Sequence, residues 1–140
     1  HEQLEGEWSA HQHLFHLLRN EVIFRERIER AIEEDRPLFE SWDSEGYMRE
    51  HYSTAGDISV LASGVIEERA RIAGLFRGLT AEQWTRTADW PDGREIDLAW
   101  FAEKVLWHAL EHFAYLLELH GELEPLQAKA WLAAEDSPAD

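Results

Sequence analysis

Apolar residues recur at helical spacing in three long stretches of this chain. The first stretch has an apolar face formed by Leu14, Leu17, Phe24, Ile28 and Ile32. Ser9 precedes it at the position of a helix N-cap, Pro37 follows it, and no Gly or Pro interrupts it. This pattern predicts a long helix over about residues 9–35.

A second apolar face begins after Asp57, which has the position of another N-cap. Its members are Val60, Leu61, Val65, Ile72, Leu75, Phe76 and Leu79. The spacing predicts a helix over about residues 57–79, with Gly64 and Gly74 allowing close approach of a neighbouring helix. The segment between the first two helices is rich in turn formers and aromatic residues, which indicates a packed connection with one short helix.

The third apolar face follows Asp97, again a candidate N-cap, and it contains two histidines. Its members are Leu98, Phe101, Val105, His108, His112, Tyr115 and Leu119. We predict a helix over about residues 97–120 that ends with Gly121 as its C-cap. A short helix over about residues 126–134 is predicted after Pro125.

The remaining segments carry turn signals and no strand alternation of useful length. Thr80 and Gln83 have the spacing of a capping box, which predicts a short helical turn. Pro91, Asp92 and Gly93 predict a loop or a small hairpin between the second and third long helices. With 140 residues and no internal repeat, the chain is predicted to form one all-α domain over residues 1–140, a helical bundle.

Composition narrows the range of partners and cofactors. The chain has 29 Asp and Glu against 13 Lys and Arg, a formal net charge of −16, which disfavours nucleic acid and anionic membrane surfaces as partners. It contains no cysteine, so any metal site must use histidine and carboxylate ligands. No long apolar run or signal-like start is present, and we therefore expect a cytoplasmic protein, although the chain begins with His1.

The two histidines of the third helix are the strongest chemical signal. His108 and His112 are four residues apart, so both imidazoles lie on the same face of a helix, within the apolar stripe. Burying an imidazole without a partner costs roughly 1–3 kcal/mol, and a shared divalent metal would satisfy both groups. Two histidines bind a metal weakly, which makes a third ligand necessary.

The first helix offers His11, His13 and His16 as third ligands, and helical geometry alone does not choose among them. His13 lies on the apolar face with Leu17, whereas His16 lies on its flank. From periodicity, His13 is the better candidate.

Several short motifs follow one another in order along the chain. They are Trp8-Ser9, His16-Leu17, Glu21, Glu34-Asp35-x-Pro37, Leu79-Thr80-x-Glu82-Gln83-Trp84-x-Arg86, Gly93 and His108-x-x-Glu111-His112. In this series the chain resembles the DinB-like four-helix-bundle family. The resemblance implies a three-histidine metal site formed by His16, His108 and His112. Only seven residues precede Trp8, where family members commonly carry a whole helix, so the first helix is expected to be shortened, missing or replaced by the segment after Pro125.

The resemblance also implies an activity. Some members are metal-dependent enzymes that use a low-molecular-weight thiol, such as mycothiol or bacillithiol, for transfer to an electrophile or for isomerisation. We therefore expect zinc or nickel at the site, an external thiol and a small-molecule substrate. One alternative is a hydrolase that activates water at the metal. The other is a non-catalytic bundle with a structural or sensory metal, which serves as a stress-linked or dimerisation module. A homodimer is compatible with any of these.

Other residues near the histidine pair have simpler interpretations. Glu111 is expected on a solvated helix face, and the alternative is a carboxylate that supports the site or acts as a base on metal-bound water. Glu21 is left outside the site, and Trp107 and Tyr115 flank the pair as candidate pocket residues. His51 and His120 are expected to be exposed. The spacing H-x-x-E-H is also that of inverted zinc proteases, but only 28 residues follow His112, too few for the further ligand and cleft that such a protease needs.

Overall fold

The computed structural model describes the backbone of residues 7–135 and the side chains of residues 7–127. The elements are, in order, helix α1 (Ala10–Glu33), helix α2 (Ser44–His51), helix α3 (Ile58–Gly78), a 3-10 turn (Gln83–Thr85), strand β1 (Thr87–Asp89), strand β2 (Glu95–Asp97) and helix α4 (Leu98–Glu135). The predicted all-α class is confirmed, as are the short helix in the first connection and the small hairpin before the last helix.

The three predicted N-caps all bond to the first turn of their helices. The Ser9 hydroxyl accepts a hydrogen bond from the Gln12 backbone N–H, and the Gln12 side chain accepts one from the Ser9 N–H at 2.8 Å. Asp57 and Asp97 accept from backbone N–H groups two and three residues further on, each at 2.8 Å. These side chains therefore fix where the three long helices begin.

Removal of the α1 cap gives a measurable test of this local structure. The Ser9 side chain is buried, so Ser9→Ala leaves the first turn of α1 without its cap and should lower the free energy of unfolding by about 1 kcal/mol. Urea unfolding measures this change. Ser63→Ala, at an exposed position within α3, is the matched control and should change stability by less than about 0.5 kcal/mol. Equal midpoints for both variants would contradict this role of Ser9.

Helix α1 is the centre of the fold, because α3 and α4 both pack along it. The buried core consists of Phe24, Ile28, Ala31, Phe39, Ile72, Ala88, Ile96, Leu98, Phe101 and Val105. A Cβ atom at Gly64 would come within 3.0 Å of the Leu18 side chain, so this glycine does permit a close helix approach. At Gly74 nothing lies within 4 Å, and that part of the prediction is wrong.

Buried ion pairs join α1 to α3 beneath the bundle surface. Glu21 is fully buried and accepts a hydrogen bond from Nε of Arg69 at 3.1 Å. The same guanidinium donates to the Val105 carbonyl of α4 at 2.7 Å. Burial raises the pKa of Glu21 to about 6, and the positive charge of Arg69 opposes that rise. Arg25 of α1 pairs with the buried carboxylate of Glu68 at 2.8 Å. These contacts fix the register of the three long helices.

Helix α4 is longer than the sequence pattern predicts. It does not end at Gly121 but continues through Pro125 to Glu135, and the predicted separate helix over residues 126–134 is its last part. Among the described glycines only Gly93 has a positive φ, so Gly121 does not form the left-handed C-cap that would end a helix. The residues after Pro125 are mostly strong helix formers, which favours continuation past one missing N–H.

This continuation corrects a further expectation. Because the segment after Pro125 extends α4, it does not fold back to replace a first helix. The prediction of a shortened or missing first helix concerns the residues before Trp8. Of these, residues 1–6 lie outside the part of the chain that the structure describes. Although α4 has 38 residues, none of the described helices combines the length and apolar character needed to cross a membrane.

Candidate metal centre

Four histidines meet where the first half of α1 crosses α4. Helix α1 contributes His13 and His16, and α4 contributes His108 and His112. One nitrogen from each of His16, His108 and His112 lies within 4.8 Å of the other two. The structure therefore brings together the three residues that the resemblance implies as ligands.

The spacing of these nitrogens fits a shared divalent ion. The Nε2 atoms of His16 and His108 are 3.3 Å apart. Two imidazole nitrogens bound to one tetrahedral ion at ~2.0–2.1 Å are about 3.3 Å from each other, the same separation. The Nδ1 atom of His108 is buried and has no hydrogen-bond partner among the described residues, so this ring is held by packing. The donor set of three imidazoles suits a divalent transition metal.

His13 lies beside this group but has a different contact. Its Nδ1 atom is 2.9 Å from Nδ1 of His112, so one of these nitrogens carries the proton they share. A ring that is bonded through Nδ1 keeps Nε2 available for a metal, and such a contact fixes the orientation of a ligand. His13 also stacks on Tyr115, with ring centroids 5.6 Å apart. The geometry therefore favours His16 as the ligand and His13 as a support for His112, whereas periodicity alone favours His13.

Burial keeps the imidazoles neutral. It lowers the pKa of His16 and of His108 to about 4 and that of His112 to about 3, and the positive charges that neighbouring rings would carry lower them further. The pKa of His13 is lowered in the same direction by burial. Since only a neutral imidazole binds a metal, the four rings are in the binding form at neutral pH.

A chain of polar side chains supports His16 from the side of α2. The Ser44 hydroxyl is 3.1 Å from Nδ1 of His16. The Asn20 amide donates to the Ser44 oxygen and to the His16 carbonyl, and its own oxygen accepts from the Trp42 indole N–H at 3.0 Å. His16 is thus oriented through Nδ1, which leaves Nε2 directed at His108.

His11, the third histidine at the start of α1, has a structural role. It is buried, and its Nε2–H donates to the Gly56 carbonyl at 2.9 Å. With Nε2 donating, Nδ1 is the acceptor for the Tyr52 hydroxyl at 3.0 Å. His11 therefore holds the connection between α2 and α3 against α1.

A pocket of about 490 Å³ opens onto the centre, and we call it the site pocket. Its lining comes from α1, α4, the segment before α2 and the tip of the hairpin, and it includes His16, Asn20, Ile23, Phe24, Arg27, Trp42, Ser44, Trp90, Asp92, Lys104 and His108. Its volume lies in the range of about 300–1,000 Å³ that is usual for small-molecule sites.

Some of the expected neighbours of the histidine pair lie elsewhere. Trp107 is 69% exposed and does not line the site pocket, so that prediction is wrong. Tyr115 is 46% exposed, contrary to its place in the apolar stripe, but it does contact His13 and His112. Glu111 is exposed, and Glu21 lies with Arg69 rather than among the ligands, as expected. His51 and His120 are exposed, also as expected.

Sequence reasoning missed the residues that surround the ligands. The Trp8 ring contacts His13, His16 and His112 with centroid distances of 5.0–6.4 Å. Its position one residue before the α1 cap was the available signal. Ser44 and Asn20 had no signal in the sequence, because their contact with His16 depends on how α2 packs against α1.

A solved structure and a curated protein relate this chain to YfiT of Bacillus subtilis. The structure, described as a probable metal-dependent hydrolase with an unusual four-helix bundle topology, superimposes with a TM-score of 0.76 at 25% identity, covering 86% of this chain and 70% of that one. The YfiT sequence of strain 168 is 27% identical over 116 residues, which is 82% of this chain but 65% of YfiT. The chain thus spans slightly less than two thirds of that relative's length.

These relatives and the geometry agree. The match to YfiT confirms the four-helix-bundle fold, and the three converging imidazoles support binding of a divalent metal. The sequence profile of the DinB superfamily matches residues 1–116, which include His16, His108 and His112. The chain belongs to the DinB superfamily.

Proposed function

We propose that His16, His108 and His112 hold a zinc or nickel ion and that the chain is a metal-dependent hydrolase acting on a small molecule in the site pocket. The observation that carries this proposal is the meeting of three imidazoles with lowered pKa values within 4.8 Å, beside that pocket. The description of YfiT as a probable metal-dependent hydrolase supports it. A divalent ion at such a centre supplies Lewis acidity, which lowers the pKa of a bound water or thiol.

Neighbouring side chains orient the ligand rings and cover part of the metal centre. Ser44 and His13 each hold the Nδ1 side of a ligand ring, so the Nε2 side faces the centre. The Trp8 ring packs against the rings of His16 and His112, with centroid distances of 5.0 Å and 6.4 Å. The substrate approaches from the site pocket, where His16 and His108 are the ligands that line the wall.

Hydrolysis is tested by adding the metal back to the chelated protein and assaying a panel of small esters and amides without thiol. We expect cleavage that depends on zinc or nickel and that falls to the metal-free rate in His108→Ala. His120→Ala is the matched control, because His120 lies on the same helix with its side chain 73% exposed, and its rate should equal that of the wild type. Equal rates with and without metal across the panel would exclude this function.

Thiol transfer is the second candidate, and the carboxylates around the site favour it. Of the carboxylates near the centre, Glu21 is bonded to Arg69 and Asp92 to Arg94, and Glu111 is exposed. Glu7 lies on the side of His13 and does not line the site pocket. Hydrolysis gains from a positioned acid that protonates the leaving group. Thiolate attack on carbon with departure of a halide needs no such group, and the chain has no cysteine of its own to supply the thiol.

A thiol-transfer assay, run beside the ester and amide panel, separates hydrolysis from thiol transfer. A halodinitrobenzene is incubated with the metal-loaded protein and a low-molecular-weight thiol, so that the new carbon–sulfur bond replaces the carbon–halogen bond. Metal-dependent consumption of the thiol, together with inertness toward the ester and amide panel, would establish transfer and exclude hydrolysis. Ester or amide cleavage without thiol would establish hydrolysis.

A further inference from the structure

The charges around the site pocket are opposite to those of the whole chain. The chain has a formal net charge of −16, yet two cations, Arg27 and Lys104, line this pocket. The only acid in the lining, Asp92, is paired with Arg94 at 2.7 Å, which neutralises it. Neither Arg27 nor Lys104 has an ion pair with any described carboxylate within 4 Å. A local excess of positive charge therefore faces the pocket.

Arg27 is held in place without an ion pair to any described carboxylate. Its guanidinium lies over the Trp90 ring, 4.7 Å from the centroid, and 5.6 Å from that of Phe39. One of its five N–H groups donates to the Glu40 carbonyl at 2.6 Å, and no other hydrogen bond from this side chain is formed within the described residues. Burial and the nearby Arg30 lower the pKa of Arg27, but a guanidinium stays charged at neutral pH. It is a fixed cation with unused donors.

Lys104 adds a second charge close to the ligands. It lies one helical turn before His108 on α4, so the two side chains share a face. Both Lys104 and His108 line the site pocket. Lys104 is exposed, and it can therefore move toward a ligand at the pocket mouth.

We propose that Arg27 and Lys104 form an anion subsite that selects small molecules carrying a carboxylate. The adjoining walls are apolar, with Ile23, Trp42 and Trp90, so the rest of the preferred ligand is an apolar or aromatic body. A planar guanidinium matches a carboxylate through two parallel hydrogen bonds, which makes Arg27 the main contact. As a substrate subsite this rests on the proposed function, but binding itself does not require turnover.

The test compares phenylacetate with its neutral isostere phenylacetamide by calorimetric titration. The full chain is used as purified, and again after the metal and then the chelator have been removed. We expect phenylacetate to bind at least about 10-fold more tightly than the amide in both forms, because charge-assisted hydrogen bonds are stronger than neutral ones. Persistence of the preference without metal separates recognition at Arg27 from coordination of the carboxylate by the ion.

Variants assign the preference to the subsite. Arg27→Met should reduce it about 10-fold, to near equality of the two ligands, and Lys104→Glu should reduce it by about 3-fold or more. Arg77→Met is the matched control. Like Arg27, Arg77 has no ion pair with a described carboxylate and donates to a backbone carbonyl, but it lies outside the site pocket. Its preference should equal that of the wild type. If Arg27→Met does not fold, Lys104→Glu decides alone, because its side chain is exposed.

Two results would overturn the subsite: equal affinity for the two ligands, or a preference that survives both substitutions. The proposed function fails separately. An Arg27-dependent preference in a protein that is inert in every turnover assay would leave the subsite standing and remove the hydrolase. Metal-dependent hydrolysis without any preference for the carboxylate would leave the hydrolase standing and remove the subsite.

Discussion

Lowering the pH of the metal-free protein from 7 to 5 is expected to remove several kcal/mol of its free energy of unfolding. Burial lowers the pKa of His16 and His108 from 6.5 to about 4 and that of His112 to about 3. Between pH 6.5 and these values the unfolded chain takes up protons that the folded chain does not. The contribution of these three histidines to the free energy of unfolding is therefore fully present above about pH 6.5 and is lost progressively as the pH falls.

The size of this effect follows from linkage. Each of the three imidazoles contributes about 2 kcal/mol of destabilisation at pH 5. Glu21 acts in the opposite direction, because its pKa is raised from 4.5 to about 6, and it returns about 1 kcal/mol at that pH. The histidines prevail, and their combined loss is comparable with the ~5–15 kcal/mol by which a small domain is usually stable.

Thermal or urea unfolding of the chelated protein at a series of pH values measures this loss. His112→Leu should reduce the pH dependence, because one of the three contributing imidazoles is gone. His120→Ala, at an exposed position, should leave it unchanged. A stability that stays constant between pH 7 and pH 5 in the metal-free wild type would show that these rings are not buried as neutral groups.

Binding of zinc or nickel should produce the second large effect, a rise in Tm at neutral pH. At a free metal concentration 100 times the Kd, a ligand that binds only the folded state stabilises it by about 2.7 kcal/mol, which corresponds to a Tm increase of about 10 °C for a chain of this size. His16→Ala removes a ligand and should abolish the increase. His13→Ala removes only a support for His112 and should weaken metal affinity by about 10- to 100-fold.

Scanning calorimetry or fluorescence with and without metal measures these shifts, and His51→Ala, at another exposed histidine, is the control for non-specific binding. An increase that persists in His16→Ala and disappears in His13→Ala would reverse the assignment of the third ligand. An equal increase in all variants would show that the metal binds elsewhere.

Much of the fold was predictable from local signals. Each long helix starts at a side chain that bonds to its first turn, namely Ser9, Asp57 and Asp97. The apolar faces predict the helices themselves. The end of α4 was not predictable in this way. Gly121 and Pro125 are local stop signals, but the strong helix formers that follow them outweigh both.

The candidate site was predictable only in part, because burial and ligation are different properties. Periodicity correctly indicates that His13 is more buried than His16, yet the less buried ring is the one that faces His108. The resemblance to a family supplied the set that the structure brings together. Ser44, Arg27 and Trp90 meet near the centre from separate segments, and helical spacing carries no information about such contacts.

The most direct test of the central claim is a measurement of metal content by mass spectrometry after reconstitution with zinc or nickel. The proteins compared are the untagged wild type, His16→Ala, His112→Ala and His13→Ala. The account predicts near one metal per chain in the wild type and in His13→Ala, and loss of the metal in the other two variants. The absence of stoichiometric metal from the wild type, or its retention in both His16→Ala and His112→Ala, would contradict a centre formed by His16, His108 and His112.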